Sequence, residues 1–174
     1  MLITKELNKK IEKEYFFIKG KIEIDSNYFI EKIKQSCSSN LNLNYKTNVK
    51  SLMTPWDFFV NDKKFIQIII NFVDYIDKNY NMVSYKLHEA WGIQVKPNEK
   101  TNFHTHYQTL WSGVLYLNSS KQNLIFPDIK EEVKPEPGSF ALFSNFLNHG
   151  CERNKEDFSK FGISFNFAEV KNFQ

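Results

Sequence analysis

Several things are scarce in this chain, and each shortage removes a class of explanation. There are only two cysteines, Cys37 and Cys151, far apart in 174 residues. Two distant cysteines make no disulfide framework, so a reducing, cytoplasmic setting is expected. Net charge is low: 23 basic against 20 acidic residues leave +3. The two signs are interspersed, so nothing pulls the chain towards nucleic acid or a membrane surface. Long apolar runs are missing. The start, MLITKELNKKIEKEYFF, carries charges throughout and reads as neither a signal peptide nor a membrane span. No internal repeat or low-complexity tract is visible. Histidine is sparse too, with four residues, yet three of them fall into one pattern.

What is present argues for a packed body. Hydrophobic residues make up 41% and aromatics 16%, with 17 phenylalanines. That suits a single domain able to bury a core of its own. Within it, residues 1–82 read as a helical and strand support and residues 83–170 as a β-rich core. In the first part, alternation towards the end of residues 15–24 predicts a strand. Asp25 and Ser26 offer helix caps, and Phe29, Ile30, Ile33 and Cys37 follow at helical spacing. Residues 38–46 form a polar connector. Residues 47–56 show no clear period, and Pro55 disfavours helix just before it. A longer helix starts at Asp62, with Phe65, Ile66, Ile69, Ile70, Phe72, Val73 and Ile76 on a broad apolar face that would pack on a sheet.

From residue 83 the pattern changes to short strands with turn signals between them. They fall at 84–95 (one or two strands), 102–107, 113–117, 123–126, 132–134, 139–143 and 161–167. Such a series predicts a sandwich or barrel, with the early helices covering one sheet from outside. The last strand is informative. Phe161, Ile163, Phe165 and Phe167 share one face, and Lys160, Gly162, Ser164 and Asn166 share the other. A polar face of this kind points at solvent or at a lined cavity, and the cavity is preferred here.

The chemistry centres on Asn102-Phe103-His104-Thr105-His106 and on Leu147-Asn148-His149-Gly150. Residues i and i+2 of a strand point the same way, so His104 and His106 can present two imidazoles side by side. His149, expected in a loop between two apolar runs, would add a third nitrogen. Imidazole suits zinc, iron, copper and nickel, so ligand type alone does not choose the metal. Three protein ligands would leave open positions for chemistry or substrate chelation. Cys151 reads either as a soft ligand or as a small residue on the following strand. His88 lies outside the pattern. Lys160 reads either as a solvated lysine or as a cation inside the cavity.

An ordered set of motifs then points further: His104-Thr105-His106, Trp111-Ser112-Gly113-Val114-Leu115-Tyr116-Leu117, Ile125-Phe126-Pro127-Asp128, Pro137-Gly138-Ser139-Phe140-Ala141-Leu142-Phe143, His149-Gly150 and Ile163-Ser164-Phe165-Asn166. Together they resemble the core of the Fe(II)/2-oxoglutarate-dependent dioxygenases, specifically compact oxygenases with an HxH motif and a prolyl-hydroxylase-like strand. The resemblance covers about residues 88–168. It implies a mainly β fold with supporting helices around a double-stranded β-helix, the cupin-like jelly roll. It implies iron(II) held by His104, His106 and His149, with no catalytic side chain beyond the ligands. Most of the superfamily carries Asp or Glu where His106 stands, so the iron would be one charge unit more positive. Asp128 is a candidate compensating acid. For 2-oxoglutarate the family usually supplies Arg, and Lys160 occupies that place. Gly162 stands where Ser is frequent, and Ser164 and Tyr116 are the remaining cosubstrate contacts. The implied activity is hydroxylation of a peptide or protein side chain. Two other readings stay open: a three-histidine, cupin-like dioxygenase that does not use 2-oxoglutarate, and a noncatalytic jelly-roll binding module.

Overall fold

The computed structural model describes residues 14–39, 48–80, 84–106 and 108–170. Most of the N-terminal run, most of the connector at 38–46, residue 83 and Tyr107 lie outside them. The elements in chain order are β1 (Phe17–Lys21), α1 (Ser26–Ser39), β2 (Val49–Lys50), β3 (Leu52–Met53), α2 (Lys63–Asn79), β4 (Tyr85–Val95), β5 (Lys100–His104), β6 (Trp111–Tyr116), β7 (Leu124–Phe126), β8 (Glu131–Val133), β9 (Ser139–Ser144), β10 (His149–Cys151) and β11 (Lys160–Glu169).

Both helices begin where the sequence provides a cap. Asp25 Oδ1 accepts from the Tyr28 backbone N–H at 3.2 Å, and Asp62 Oδ1 accepts from that of Phe65 at 3.0 Å. Asp62 is itself buried. Its second oxygen accepts from Lys32 Nζ at 2.5 Å and from the Tyr28 hydroxyl at 2.8 Å, which ties α1 to the start of α2. Phe29 and Ile33 of α1 and Phe65, Ile69, Phe72 and Ile76 of α2 are buried in one cluster with Phe161, Ile163, Phe165 and Phe167 of β11. The helices therefore cover the aromatic face of β11, as the alternation in that strand predicts. Burying one such phenylalanine contributes about 1.5–3 kcal/mol.

The strands make two sheets. Six lie in the order β1-β9-β6-β11-β4-β3, and five in the order β2-β5-β10-β7-β8. All pairings are antiparallel. The inner side chains of the two sheets meet in a cluster around Val114, Tyr116, Phe126 and Phe143, and a smaller cluster of Met53, Trp91, Ile93 and Val95 lies on β3 and β4 of the six-stranded sheet. The turn before β9 is closed by Gly138 at φ +81, where a Cβ would stand 1.9 Å from the Ile22 carbonyl oxygen. Only glycine allows that approach.

Four local features depend on strand pairing. Of the one or two strands expected at 84–95, one forms, Tyr85–Val95. Residues 47–56, which show no period, hold β2 and β3, each too short for a period to register; β2 joins the five-stranded sheet and β3 pairs with β4. β5 stops at His104, so His106 lies just beyond the strand. His149 does not sit in a loop but opens β10, opposite His104. Hydrogen bonds from partner strands, invisible in local sequence, decide all four.

Candidate metal centre

Two devices hold the three histidines. His104 ends β5, where its Nδ1 lies 2.8 Å from the Asn102 carbonyl oxygen, so Nδ1–H donates and Nε2 keeps its lone pair. His149 is set the same way, with Nδ1 2.9 Å from the Leu147 carbonyl oxygen. The strand register places His149 opposite His104, and their rings stand 4.4 Å apart. His106 is brought in by its backbone. Its N–H donates to the Asn145 carbonyl at 2.8 Å, and the Asn145 amide donates back to the Thr109 carbonyl. The β9–β10 connection thus clamps the segment that carries His106. The His106 ring lies parallel to His149, at an interplanar angle of 4°, with the two Nε2 atoms 3.2 Å apart.

The His149 ring is walled by Phe143 at 4.6 Å and Phe126 at 5.6 Å. Burial holds all three imidazoles below their ordinary value of 6.5, His106 to about 4 and His149 to about 3. Mutual repulsion among the rings adds to the effect at His106 and His149. They are therefore neutral near pH 7, the form that binds a metal. One ligand atom from each histidine lies within 4.8 Å of those of the other two. Two nitrogens bound to one ion at about 2.1 Å each can be at most about 4.2 Å apart, and the 3.2 Å between His106 and His149 falls inside that limit. With the Nδ1–H groups of His104 and His149 anchored on carbonyls, the chemistry of this donor set suits a metal ion such as iron(II) or zinc.

No carboxylate joins the group among the described residues. Asp128 is exposed and does different work: its Oδ2 accepts from the Asn148 backbone N–H at 3.0 Å, bracing the residue before His149. His88 points outward on β4. Cys151 is buried outside the three-histidine group.

The histidines open into a hollow between the two sheets, with a cavity volume of about 60 Å³. Its lining includes Lys160, Tyr116 and Ser164 as well as the three histidines. Lys160 is 1% exposed. Its Nζ donates to the Gln122 carbonyl at 3.2 Å and to Cys151 Sγ at 3.4 Å, and it stands 5.4 Å from the centre of the Tyr116 ring. No carboxylate pairs with it among the described residues. The Tyr116 hydroxyl is fully buried, and burial pushes its pKa well above 10. The sequence did not single out Trp91 or Ser112, which also line the hollow. Strand pairing brings them in, Trp91 opposite Ser164 and Ser112 opposite Asn166, and no local signal marked them.

No protein-family model matches the chain, and no curated protein does. Solved structures do match. A viral collagen prolyl hydroxylase of Paramecium bursaria Chlorella virus-1, in complex with 2-oxoglutarate, gives a TM-score of 0.71 at 17% identity. The match spans 91% of this chain and 97% of that one. The fold is that of the prolyl hydroxylases. A Pseudomonas putida prolyl-4-hydroxylase shares this prolyl hydroxylase fold at a TM-score of 0.67 and 13% identity, over 89% and 93% of the two chains. A Trichoplax adhaerens prolyl hydroxylase, in complex with a peptide fragment of the hypoxia inducible factor oxygen degradation domain, does so at 0.60 and 13%, over 89% and 83%. The core common to this fold is the double-stranded β-helix. No helix among the described residues is long and apolar enough to cross a membrane.

Proposed function

We propose that the chain is an Fe(II)- and 2-oxoglutarate-dependent dioxygenase that hydroxylates a side chain of a peptide or protein. The observation that carries this reading is Lys160. An ammonium buried to 1% exposure with no carboxylate beside it among the described residues is costly to keep, unless a ligand brings the missing anion. The three-histidine group lines the same hollow. A 2-oxo acid has both features the hollow asks for: a chelating end for a metal and a distal carboxylate for a cation. That is why a three-histidine dioxygenase working without an oxo acid is the weaker reading. It leaves the buried ammonium unexplained.

In this reading His104, His106 and His149 hold iron(II) through their free nitrogens. The bound metal supplies the redox chemistry that couples 2-oxoglutarate and dioxygen to insertion of one oxygen atom into a substrate C–H bond, releasing succinate and carbon dioxide. Lys160 holds the distal carboxylate as a point charge, without the two-pronged grip an arginine would offer. Tyr116 and Ser164 flank that acid. Val114, Leu124 and Phe143 line the same space and keep it poor in water, which strengthens the contact to Lys160. A peptide or protein substrate is favoured by the prolyl hydroxylase fold, which is an argument from analogy.

The test is succinate release by the iron-loaded protein, with oxygen uptake followed with and without 2-oxoglutarate. Uptake that requires 2-oxoglutarate, with succinate as product, is expected. Oxygen uptake independent of it would favour the three-histidine alternative. Failure to bind iron in an anaerobic titration would leave only a binding module.

A further inference from the structure

The inner face of the six-stranded sheet narrows the substrate class. β4 and β11 pair so that Val95 faces Lys160, Ile93 faces Gly162, Trp91 faces Ser164 and Glu89 faces Asn166. On the other side of β11, Ser112 faces Asn166. Lys160 therefore lies at one end of the hollow, and a row of Glu89, Asn166 and Ser112 lies at the other. The two ends are about 20 Å apart along the strand.

That row is organised. Ser112 Oγ donates to Asn166 Oδ1 at 2.7 Å, and Asn166 Nδ2 donates to Glu89 Oε2 at 2.8 Å. Ser112 and Asn166 are 2% and 3% exposed, and both line the hollow. Glu89 is half-buried just beyond that lining, held by the Asn166 amide. Its carboxylate is aimed by the buried amide, and no lysine or arginine pairs with it among the described residues. Trp91, two positions further along β4, projects from the same face. It is 4% exposed, it lines the hollow, and its Nε1–H has no hydrogen-bond partner among the described residues. A buried donor left without an acceptor costs about 1–3 kcal/mol.

We infer that this end of the hollow receives a cationic side chain of the substrate, an ammonium or a guanidinium, on Glu89. The orphan Trp91 N–H takes an acceptor oxygen of the same molecule, such as a peptide carbonyl. This inference rests on the oxygenase reading for its chemistry. A dianionic 2-oxo acid is attracted to Lys160 and repelled by Glu89, so the two charged ends sort the two substrates. Ser112 and Asn166 act as positioning residues that fix the carboxylate.

The test uses the full chain loaded with zinc, which prevents turnover. N-acetyl-lysinamide, N-acetyl-argininamide and the neutral N-acetyl-norleucinamide are titrated and followed by NMR shifts. Binding of 2-oxoglutarate to the same samples is followed by tryptophan fluorescence. One or both cationic probes should bind at least about tenfold more tightly than the neutral one, as one charge-assisted hydrogen bond provides. The better of the two identifies the cation. The isosteric Glu89→Gln should bring all three within about twofold, and Glu89→Lys should turn the preference towards N-acetyl-glutamic acid amide. Equal binding of the three probes to the unaltered protein, or a cation preference that survives Glu89→Gln, overturns the inference. A cation preference without any 2-oxoglutarate binding would instead sink the oxygenase reading and leave the cation receptor standing.

Discussion

Replacing Lys160 by methionine should move stability and ligand binding in opposite directions. The side chain is 1% exposed, and its Nζ has the Gln122 carbonyl and Cys151 Sγ as neighbours. Burying an ammonium without a counter-charge costs several kcal/mol, whereas an apolar chain of similar volume costs none of that. Against the gain stands the lost hydrogen bond to Gln122, about 1 kcal/mol. Lys160→Met should therefore stabilise the ligand-free protein by about 1–3 kcal/mol, and Tm should rise by roughly 2–12 °C for a chain of this size. With 2-oxoglutarate the order changes. At about 100 times its Kd, the acid should stabilise the unaltered protein by about 2.7 kcal/mol. Loss of a charge-assisted hydrogen bond weakens binding by about 1.5–3 kcal/mol, or more than tenfold. The same concentration should then stabilise the variant by about half as much or less. Thermal melts of the zinc-loaded proteins with and without the acid measure both effects. If the variant melts lower without 2-oxoglutarate and shifts as far with it, Lys160 is a structural lysine and the anchor is elsewhere.

Other consequences can be checked directly. Burial keeps His106 and His149 neutral in the fold down to about 4 and about 3, against 6.5 when free. The unfolded chain therefore takes up protons first, and the metal-free protein should lose about 2 kcal/mol per histidine between pH 7 and pH 5. Urea midpoints that stay flat over that range would contradict the burial of these rings. His149→Ala should abolish tight metal binding, and Asp128→Ala, which frees the Asn148 N–H, should weaken it by about tenfold in competition with a chromophoric chelator. At Gly113 a Cβ would meet two ring carbons of Phe165 at 2.2 and 2.3 Å and Leu142 Cδ2 at 2.9 Å. Gly113→Ala should then cost about 1–3 kcal/mol in denaturant melts, and Phe165→Leu in the same chain should recover part of it.

Much of this arrangement could be read before any coordinates, for identifiable reasons. The period-two alternation of β11 separated Phe161, Ile163, Phe165 and Phe167 from Lys160, Ser164 and Asn166, and the two sets do face the helices and the hollow. Asp25 and Asp62 announced the helix starts because a cap is a local device. The HxH motif marked His104 and His106, but the reason given for their nearness was incomplete. His106 lies past the end of its strand and is turned inward by the Asn145 carbonyl, a contact made between segments far apart in the chain.

Sequence alone thus determined which residue types face inward, since the alternation of a strand and the spacing of a helix are properties of a few consecutive residues. It also marked three histidines as candidate metal ligands, because so few exist and three share a pattern. Tertiary structure alone decided that His149 stands opposite His104, that Lys160 is buried without a carboxylate among the described residues, and that Glu89, Asn166 and Ser112 form one row. Strand register between distant segments sets each of these, and register follows from which surfaces the whole sheet can bury together.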